Sequence, residues 1–127
     1  MVTTCGVFLY SSAMVKLLVC HATNSRWTQW SIPKGLSSEG EDLLKAAGRE
    51  LFEETGIALE KLRDKKITQL PAVKYKKQNK TLESFLVITG DDFEGHKFRS
   101  NLVEDRDFAE IDSWKWVTLE QAGGDAA

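Results

Sequence analysis

Four acids and one arginine lie close together in residues 35–57, GLSSEGEDLLKAAGRELFEETGI: Glu41, Arg49, Glu50, Glu53 and Glu54. The stretch begins and ends as a helix does. Ser38-Glu39-Gly40-Glu41 has the spacing of a capping box, and Gly56 after Thr55 suits a left-handed cap, so a helix is expected from about Glu41 to Thr55. With Glu50 at zero on a wheel of about 100° per residue, Glu53 falls near 300° and Glu54 near 40°. Leu44, Ala47, Leu51 and Thr55 fall between roughly 60° and 140° on the same wheel. One face is therefore apolar, and the face beside it carries three carboxylates about one turn apart. Like charges at i and i+4, such as Glu50 and Glu54, cost a helix about 0.2–0.5 kcal/mol. A hard divalent cation reverses that cost, because Mg²⁺ takes carboxylate oxygens and keeps waters and phosphate oxygens as its remaining ligands. The plain alternative is a solvated acidic face, since exposed acids are common.

The full spacing decides between the two. The stretch reads G-x5-E-x7-R-E-L-x-E-E-x-G-I, with Gly35, Glu41, Arg49, Glu50, Leu51, Glu53, Glu54, Gly56 and Ile57 at the defined positions. It resembles the Nudix box at every one of them, and the chain looks like a Nudix hydrolase. The resemblance implies an α/β fold, the Nudix α/β/α sandwich around a mixed β-sheet. It also implies hydrolysis of a nucleoside diphosphate linked to another moiety, by attack of water on a phosphorus of the pyrophosphate. That reaction needs neutralised phosphates, an activated water and an aligned leaving group, all of which metal ions supply. By resemblance, Glu50, Glu53 and Glu54 bind Mg²⁺ or Mn²⁺ and provide the base, and the backbone near Gly35 adds a carbonyl ligand. Arg49 is expected to pair with these acids and orient them, the alternative being a surface pair with Glu53. Glu41 is expected to be structural, as a partner of Ser38 or of Arg49.

Outside the box, Glu110 stands six residues before Trp116. Several Nudix enzymes carry a further metal-binding or catalytic Glu on the loop before such a strand, which gives Glu110 that role, with Glu104 as fallback. Lys34 lies in the Trp-Ser-Ile-Pro-Lys-Gly run entering the box and is a candidate for substrate binding. Tyr75 lies 19 residues past Gly56 and precedes Lys76-Lys77-Gln78-Asn79-Lys80. The diadenosine polyphosphate hydrolases of the family have a Tyr at about that distance and a similar turn. An aromatic face stacks a base, and lysines such as Lys77 and Lys80 meet a polyphosphate. Trp27 and Trp30 could frame a nucleobase pocket, one of them belonging instead to the core. His21 and His96 lack ligand-like spacing and are given no role.

The elements that must position these groups are legible more coarsely. Val2–Tyr10 and the continuously apolar Lys16–Ala22 read as strands. Residues 24–34 read as a loop, and Ile67–Tyr75 as a strand interrupted by Pro71, as at an edge or bulge. A strand at Leu82–Thr89 is followed by a long polar connection, Gly90–Asp112, of the kind that is often functional. A last strand is expected at Trp114–Thr118, then a helix that Gly123-Gly124 should break almost at once.

With 127 residues, 42% hydrophobic and 28% charged, the chain is expected to be one globular domain, residues 1–127. A net charge of −2 gives no basic field for non-specific nucleic-acid binding, and the partner that the resemblance implies is a small nucleotide. No apolar run is long enough for a membrane span, and Cys5 and Cys20 read as buried thiols of a cytoplasmic protein. The leading expectation is a pyrophosphohydrolase acting on dinucleoside polyphosphates. A nucleoside triphosphate or ADP-ribose pyrophosphatase, an RNA cap hydrolase and a non-catalytic binding module are the alternatives.

Overall fold

The computed structural model describes residues 2–103 and 106–125. Its centre is strand β1 (Val2–Ser11), which turns tightly into β2 (Lys16–Ala22). Two short strands follow, β3 (Trp30–Ser31), inside what the sequence suggested was only loop, and β4 (Lys34–Leu36), which starts at that loop's last residue. Helix α1 (Leu43–Thr55) comes next, then β5 (Lys66–Gln69), β6 (Val73–Tyr75) and β7 (Lys80–Thr89). β8 (Ile111–Val117) and α2 (Leu119–Asp125) complete the chain. The Ile67–Tyr75 strand is thus two strands split around Pro71, which has no N–H to offer a ladder. β8 begins three residues earlier than Trp114.

The sheet is mixed, as expected. β1 runs parallel to β7 from Val2 opposite Lys80 to Ser11 opposite Thr89, and every other pairing is antiparallel. β1 pairs with β2 only at Tyr10 and Ser11, and with β4 at Thr4, Cys5 and Gly6. The two strands of the hairpin therefore part, and β4 lies along β1 where β2 has left it. β2 instead pairs with β3 and with most of β8.

Strand alternation sends Cys5, Val7 and Leu9 to one face. There they form the main core with Leu18, Phe85 and Val87 from the sheet and Ala46, Ala47 and Leu51 from α1. Burying a side chain such as Leu51 contributes about 1.5–3 kcal/mol. The opposite face holds a smaller cluster of Leu17, Val19 and Val117, against which Phe8, Tyr10, Trp30 and Ala122 of α2 pack. α2 does not stop at Gly123, as the sequence suggested; it runs through the glycine pair to Asp125, but is only seven residues long. Cys5 and Cys20 are buried and unpaired.

Helix α1 starts at Leu43, two residues later than Glu41. Gly40, at φ 75°, turns the chain just before it, and Asp42 is the cap, its carboxylate accepting from the Lys45 N–H at 3.1 Å. Glu41 makes the reciprocal half of the expected box, accepting from the Ser38 N–H at 2.9 Å. At the far end Gly56 takes the left-handed conformation at φ 80°, and its N–H bonds Phe52 O. The other three terminal carbonyls, which a helix leaves without partners of its own, are all met by the 90–112 connection and β8. Asn101 N–H donates to Glu53 O at 2.7 Å, Trp114 Nε1–H to Glu54 O at 2.6 Å, and His96 Nε2–H to Thr55 O at 3.0 Å. The connection is fastened in turn by aromatic contacts, Phe93 with Trp116 and Phe98 with Trp114.

A β-branched side chain at Gly56 would be strained at positive φ and would press on Arg99, whose Cγ lies 3.0 Å from where a Cβ would stand. Gly56→Val is expected to lower stability by more than about 1 kcal/mol, read from the urea unfolding midpoint. A midpoint equal to the parent's would show that this cap does not hold the helix end.

Candidate active site

The acids of α1 divide by depth. Glu50 and Glu54 are 6% and 3% exposed, while the Glu53 side chain is 36% exposed. Burial is forced by their place on the wheel, at the edge of the stripe that puts Ala47, Leu51 and Thr55 into the core. Glu50 fits because residue 35 is glycine: a Cβ there would stand 2.2 Å from the Glu50 Cδ. Glu54 accepts a hydrogen bond from the Lys34 N–H at 3.2 Å, which ties the helix to β4.

Arg49 organises the group. Its Nε and Nη2 donate to the two oxygens of Glu41, at 2.9 and 3.0 Å, in a two-pronged pair. Nη1 donates to Glu50 at 2.9 Å and to Glu53 at 3.3 Å, and Nη2 also reaches Leu36 O at 3.0 Å. All five guanidinium protons are thereby directed at acceptors. Both structural roles foreseen for Glu41 occur together, since it meets Ser38 and Arg49 at once. The Arg49 hydrogen bonds hold the Glu41 carboxyl down at about 2, and the Glu41 contact raises the guanidinium in return.

The buried acids shift the other way. Glu50 is raised by burial and then by the charge of Glu53, with Arg49 opposing. Glu54 is raised to about 8 by burial, by Glu110 and by Glu50. Glu110 therefore stands close enough to act on both. Its backbone is fixed by Thr23 N–H donating to its carbonyl at 2.9 Å and by its own N–H donating to Asn101 O at 2.9 Å. Glu104 lies outside the described residues.

Among the described residues, no three His, Cys, Asp or Glu side chains are arranged as they stand to hold an ion. Glu50 and Glu53 have turned oxygens to Arg49. The donor set nonetheless suits a hard cation. Glu50 and Glu54 are buried and each is raised by neighbouring carboxylates, and Glu53 and Glu54 occupy the last turn of α1, the negative end of its dipole. Each of those features is unfavourable alone and is of the kind that a bound divalent cation would relieve.

Beside this group lies a cavity of about 180 Å³ lined by Thr4, Lys34, Tyr75, Gln78, Lys80 and Leu82. It brings together three of the residues named for substrate binding, Lys34, Tyr75 and Lys80. Lys77 does not line it; the 3₁₀ turn Lys76–Gln78 presents Gln78 there instead. Burial, then the charge of Lys80, lowers Lys34, against the pull of Glu54. Trp27 lies elsewhere, 69% exposed and stacked on His21 with ring centroids 4.5 Å apart. Trp30 is half-buried in the smaller cluster. His21, which the sequence left without a role, is buried between Asp112 Oδ1 at 2.7 Å and Arg26 O at 2.9 Å. The Asp112 hydrogen bond raises the imidazole pKa, with burial opposing. His96 is likewise structural, as a cap of α1. Neither role has a local sequence signal, because each partner is distant in sequence or is a backbone oxygen.

Comparison with known proteins shows the family and the fold. The family model described as NUDIX domain matches residues 2–127. An RNA pyrophosphohydrolase of Bartonella henselae is 34% identical over 118 residues, 83% of this chain and 66% of that protein. One from Bartonella quintana is 38% identical over 112 residues, 79% of this chain and 62% of that protein. The chain thus spans somewhat less than two thirds of the length of these relatives. An Ap4A hydrolase of C. elegans, solved as a binary complex, superposes with a TM-score of 0.71 at 24% identity, over 99% of this chain and 86% of that one, which establishes the fold.

The raised carboxylates have a consequence for stability. Glu54 releases its proton at about 8 when folded but near 4.5 when unfolded, so between those values the folded chain holds a proton the unfolded chain has lost. Its contribution is complete below about pH 4.5 and is lost as pH rises through about 8. The metal-free protein should unfold at progressively lower urea over that range, and Glu54→Gln should flatten the trend. An identical slope in Glu54→Gln would assign the effect to other groups.

Proposed function

The chain belongs to the NUDIX domain family, and on that premise we propose that it is a metal-dependent pyrophosphohydrolase of nucleoside diphosphates linked to another moiety, with dinucleoside polyphosphates preferred. The observation that carries the reading is the set of acids on α1, with Glu50 and Glu54 buried and raised by neighbouring carboxylates including Glu110, and Glu54 joined through the Lys34 N–H to the strand that lines a cavity with two lysines and a tyrosine. Glu50, Glu53, Glu54, Glu110 and the backbone near Gly35 are the groups to hold Mg²⁺ or Mn²⁺. Once bound, the ion neutralises phosphate charge and makes a coordinated water easier to deprotonate.

The remaining work falls to the chain's own residues. Water attacks a phosphorus, the bridging P–O bond breaks, and the leaving phosphate departs on its oxygen. The proton of the attacking water passes to a carboxylate. Glu53 suits that role, being the box acid that reaches solvent, with Glu50 beside it. Arg49 holds both in place through the same Nη1. Lys34 and Lys80 draw in phosphates away from the one attacked, with Lys77 at the exposed rim of the turn. Tyr75 stacks on a nucleobase.

A second reading has specific support. The relatives that are 34–38% identical over about four fifths of this chain are named RNA pyrophosphohydrolases, so the 5′-polyphosphate end of an RNA is the competing substrate. Both substrates present a phosphate chain on a nucleoside, and the same groups would serve either. Initial rates on dinucleoside polyphosphates, nucleoside triphosphates, ADP-ribose and 5′-triphosphorylated RNA, with products identified, separate the readings. A chain inactive on all of them with either metal would be a binding module instead.

Glu53→Gln and Glu54→Gln should each lower turnover by orders of magnitude while leaving the fold intact, because Gln keeps the shape of Glu and at position 54 replaces a carboxyl whose charged form burial already disfavours. Chelation should abolish activity. Parent-like rates in both variants, or indifference to chelator, would sink the metal-site assignment. Stacking on an aromatic is worth about 1–3 kcal/mol per base, so Tyr75→Ala should reduce kcat/KM by roughly 5- to 150-fold, most for substrates with two nucleosides. An equal loss for one- and two-nucleoside substrates would remove Tyr75 from base recognition.

A further inference from the structure

Thr4 has no reason to be a threonine that the fold supplies. It is 2% exposed, and its Oγ1 is, among the described residues, a buried side-chain oxygen without a hydrogen-bond partner. A shut-in hydroxyl with no partner costs stability, whereas valine has nearly the same shape, suits a strand and carries no such penalty. A polar group kept at that cost points to a partner outside the chain.

Its surroundings say which kind. Cys5, Val7 and Leu9 face α1, so Thr4 and Gly6 face the other way. On that side Thr4 lies opposite Leu82 of β7 and forms a wall of the cavity shared with Lys34, Tyr75, Gln78 and Lys80. Lys34 lies directly over Gly6, where a Cβ would meet the Lys34 Cβ at 2.9 Å, so its stem passes beside Thr4. Its backbone N–H is bonded to Glu54, which joins the cavity to the acidic centre. Two ammonium groups, a phenol and an amide are donors, and two of them are cations. The ligand they fit is an acceptor-rich anion.

We propose that Thr4 is a specificity residue of this cavity, its hydroxyl donating to an oxygen of a substrate phosphate held between Lys34 and Lys80, distal to the phosphorus attacked. This rests on the polyphosphate chemistry proposed above. The flexible Lys34 side chain is what must give: drawn outward to the phosphate, it uncovers the hydroxyl beside it. An anion there also relieves the burial and the Lys80 repulsion that weaken the Lys34 charge. The assignment selects for chain length. A substrate with a phosphate beyond the scissile bond fills the cavity, and one without it leaves the hydroxyl unpaired.

The test uses inorganic tripolyphosphate as probe on the metal-free protein, with binding followed by calorimetry and heat stability measured alongside. Thr4→Val should melt no lower than the parent yet bind tripolyphosphate about tenfold or more weakly, the loss expected for a hydrogen bond to a charged group. Thr4→Ser, which restores the hydroxyl, should bind within about threefold of the parent. If valine at this position prevents folding, Thr4→Ala asks the same question against Thr4→Ser. Parent-like binding by Thr4→Val or Thr4→Ala overturns the proposal, as does a parent that binds no tripolyphosphate. No turnover is needed, so a chain inactive toward every nucleotide in the substrate panel would refute the enzymatic reading without deciding this one.

Discussion

The structure turns on one unfavourable arrangement, the crowding of carboxylates at the end of α1. Glu50 and Glu54 are drawn inward because they share a helix edge with Ala47, Leu51 and Thr55. Their charges repel each other and Glu110, and Glu54 sits in the last turn, at the negative end of the helix dipole. Arg49 is the fixed counterweight. It spends two donors on Glu41, outside the cluster, and a single nitrogen on Glu50 and Glu53 together. Glu41 acts as an anchor that sets the angle of the guanidinium. Glu54 receives nothing from Arg49 and takes only a backbone N–H from Lys34, which is why burial lifts it furthest. The imbalance is local and of one sign, the condition under which a divalent cation contributes most.

Holding that arrangement steady requires the C-terminus of α1 to be immobile. Three of its four free carbonyls are capped by residues at least 41 positions away in sequence, namely His96, Asn101 and Trp114. The long connection that looked like irregular chain is therefore a clasp. It runs across the helix end, packs Phe93 and Phe98 on the tryptophans of β8, and delivers Glu110 to the acids. The same stretch carries Glu110 and fixes the helix that bears the other acids, so their spacing cannot drift independently.

The opposite sheet face is thinly covered, with Ala122 of a seven-residue helix over Leu17, Val19 and Val117. Toward the β4 end that face becomes a cavity with lysines in its wall. Lys34 belongs to both sides of the arrangement, its backbone serving the acids and its side chain serving the cavity. Close packing of β4 on β1 makes this possible, since Gly6 leaves room for Lys34 and Gly35 leaves room for Glu50. Two glycines, one on each strand, keep the acids of α1 and the lysine-lined cavity adjacent.

Much of this was written in the sequence, wherever the determining interaction was local. The wheel positions of Glu50, Glu53 and Glu54, the apolar stripe, the left-handed cap at Gly56 and the alternation of β1 and β7 depend on neighbours within a turn or a strand, and a spacing pattern records them. The α1 start was misjudged by two residues because Glu41 bonds both backward to Ser38 and outward to Arg49, and only the second contact is tertiary. The run of α2 through Gly123-Gly124 also departed from propensity, since Ala122 packs on the sheet and packing outweighs the roughly 1 kcal/mol that each glycine costs. What sequence could not decide is what depends on chain segments far apart: the depth of Glu54, the clasp over the helix end, the pairing of His21 with Asp112 and the meeting of Thr4 with Lys34 and Lys80. Burial and electrostatic coupling are properties of the space between elements, and that space exists only once β1, β4 and β7 have closed around it.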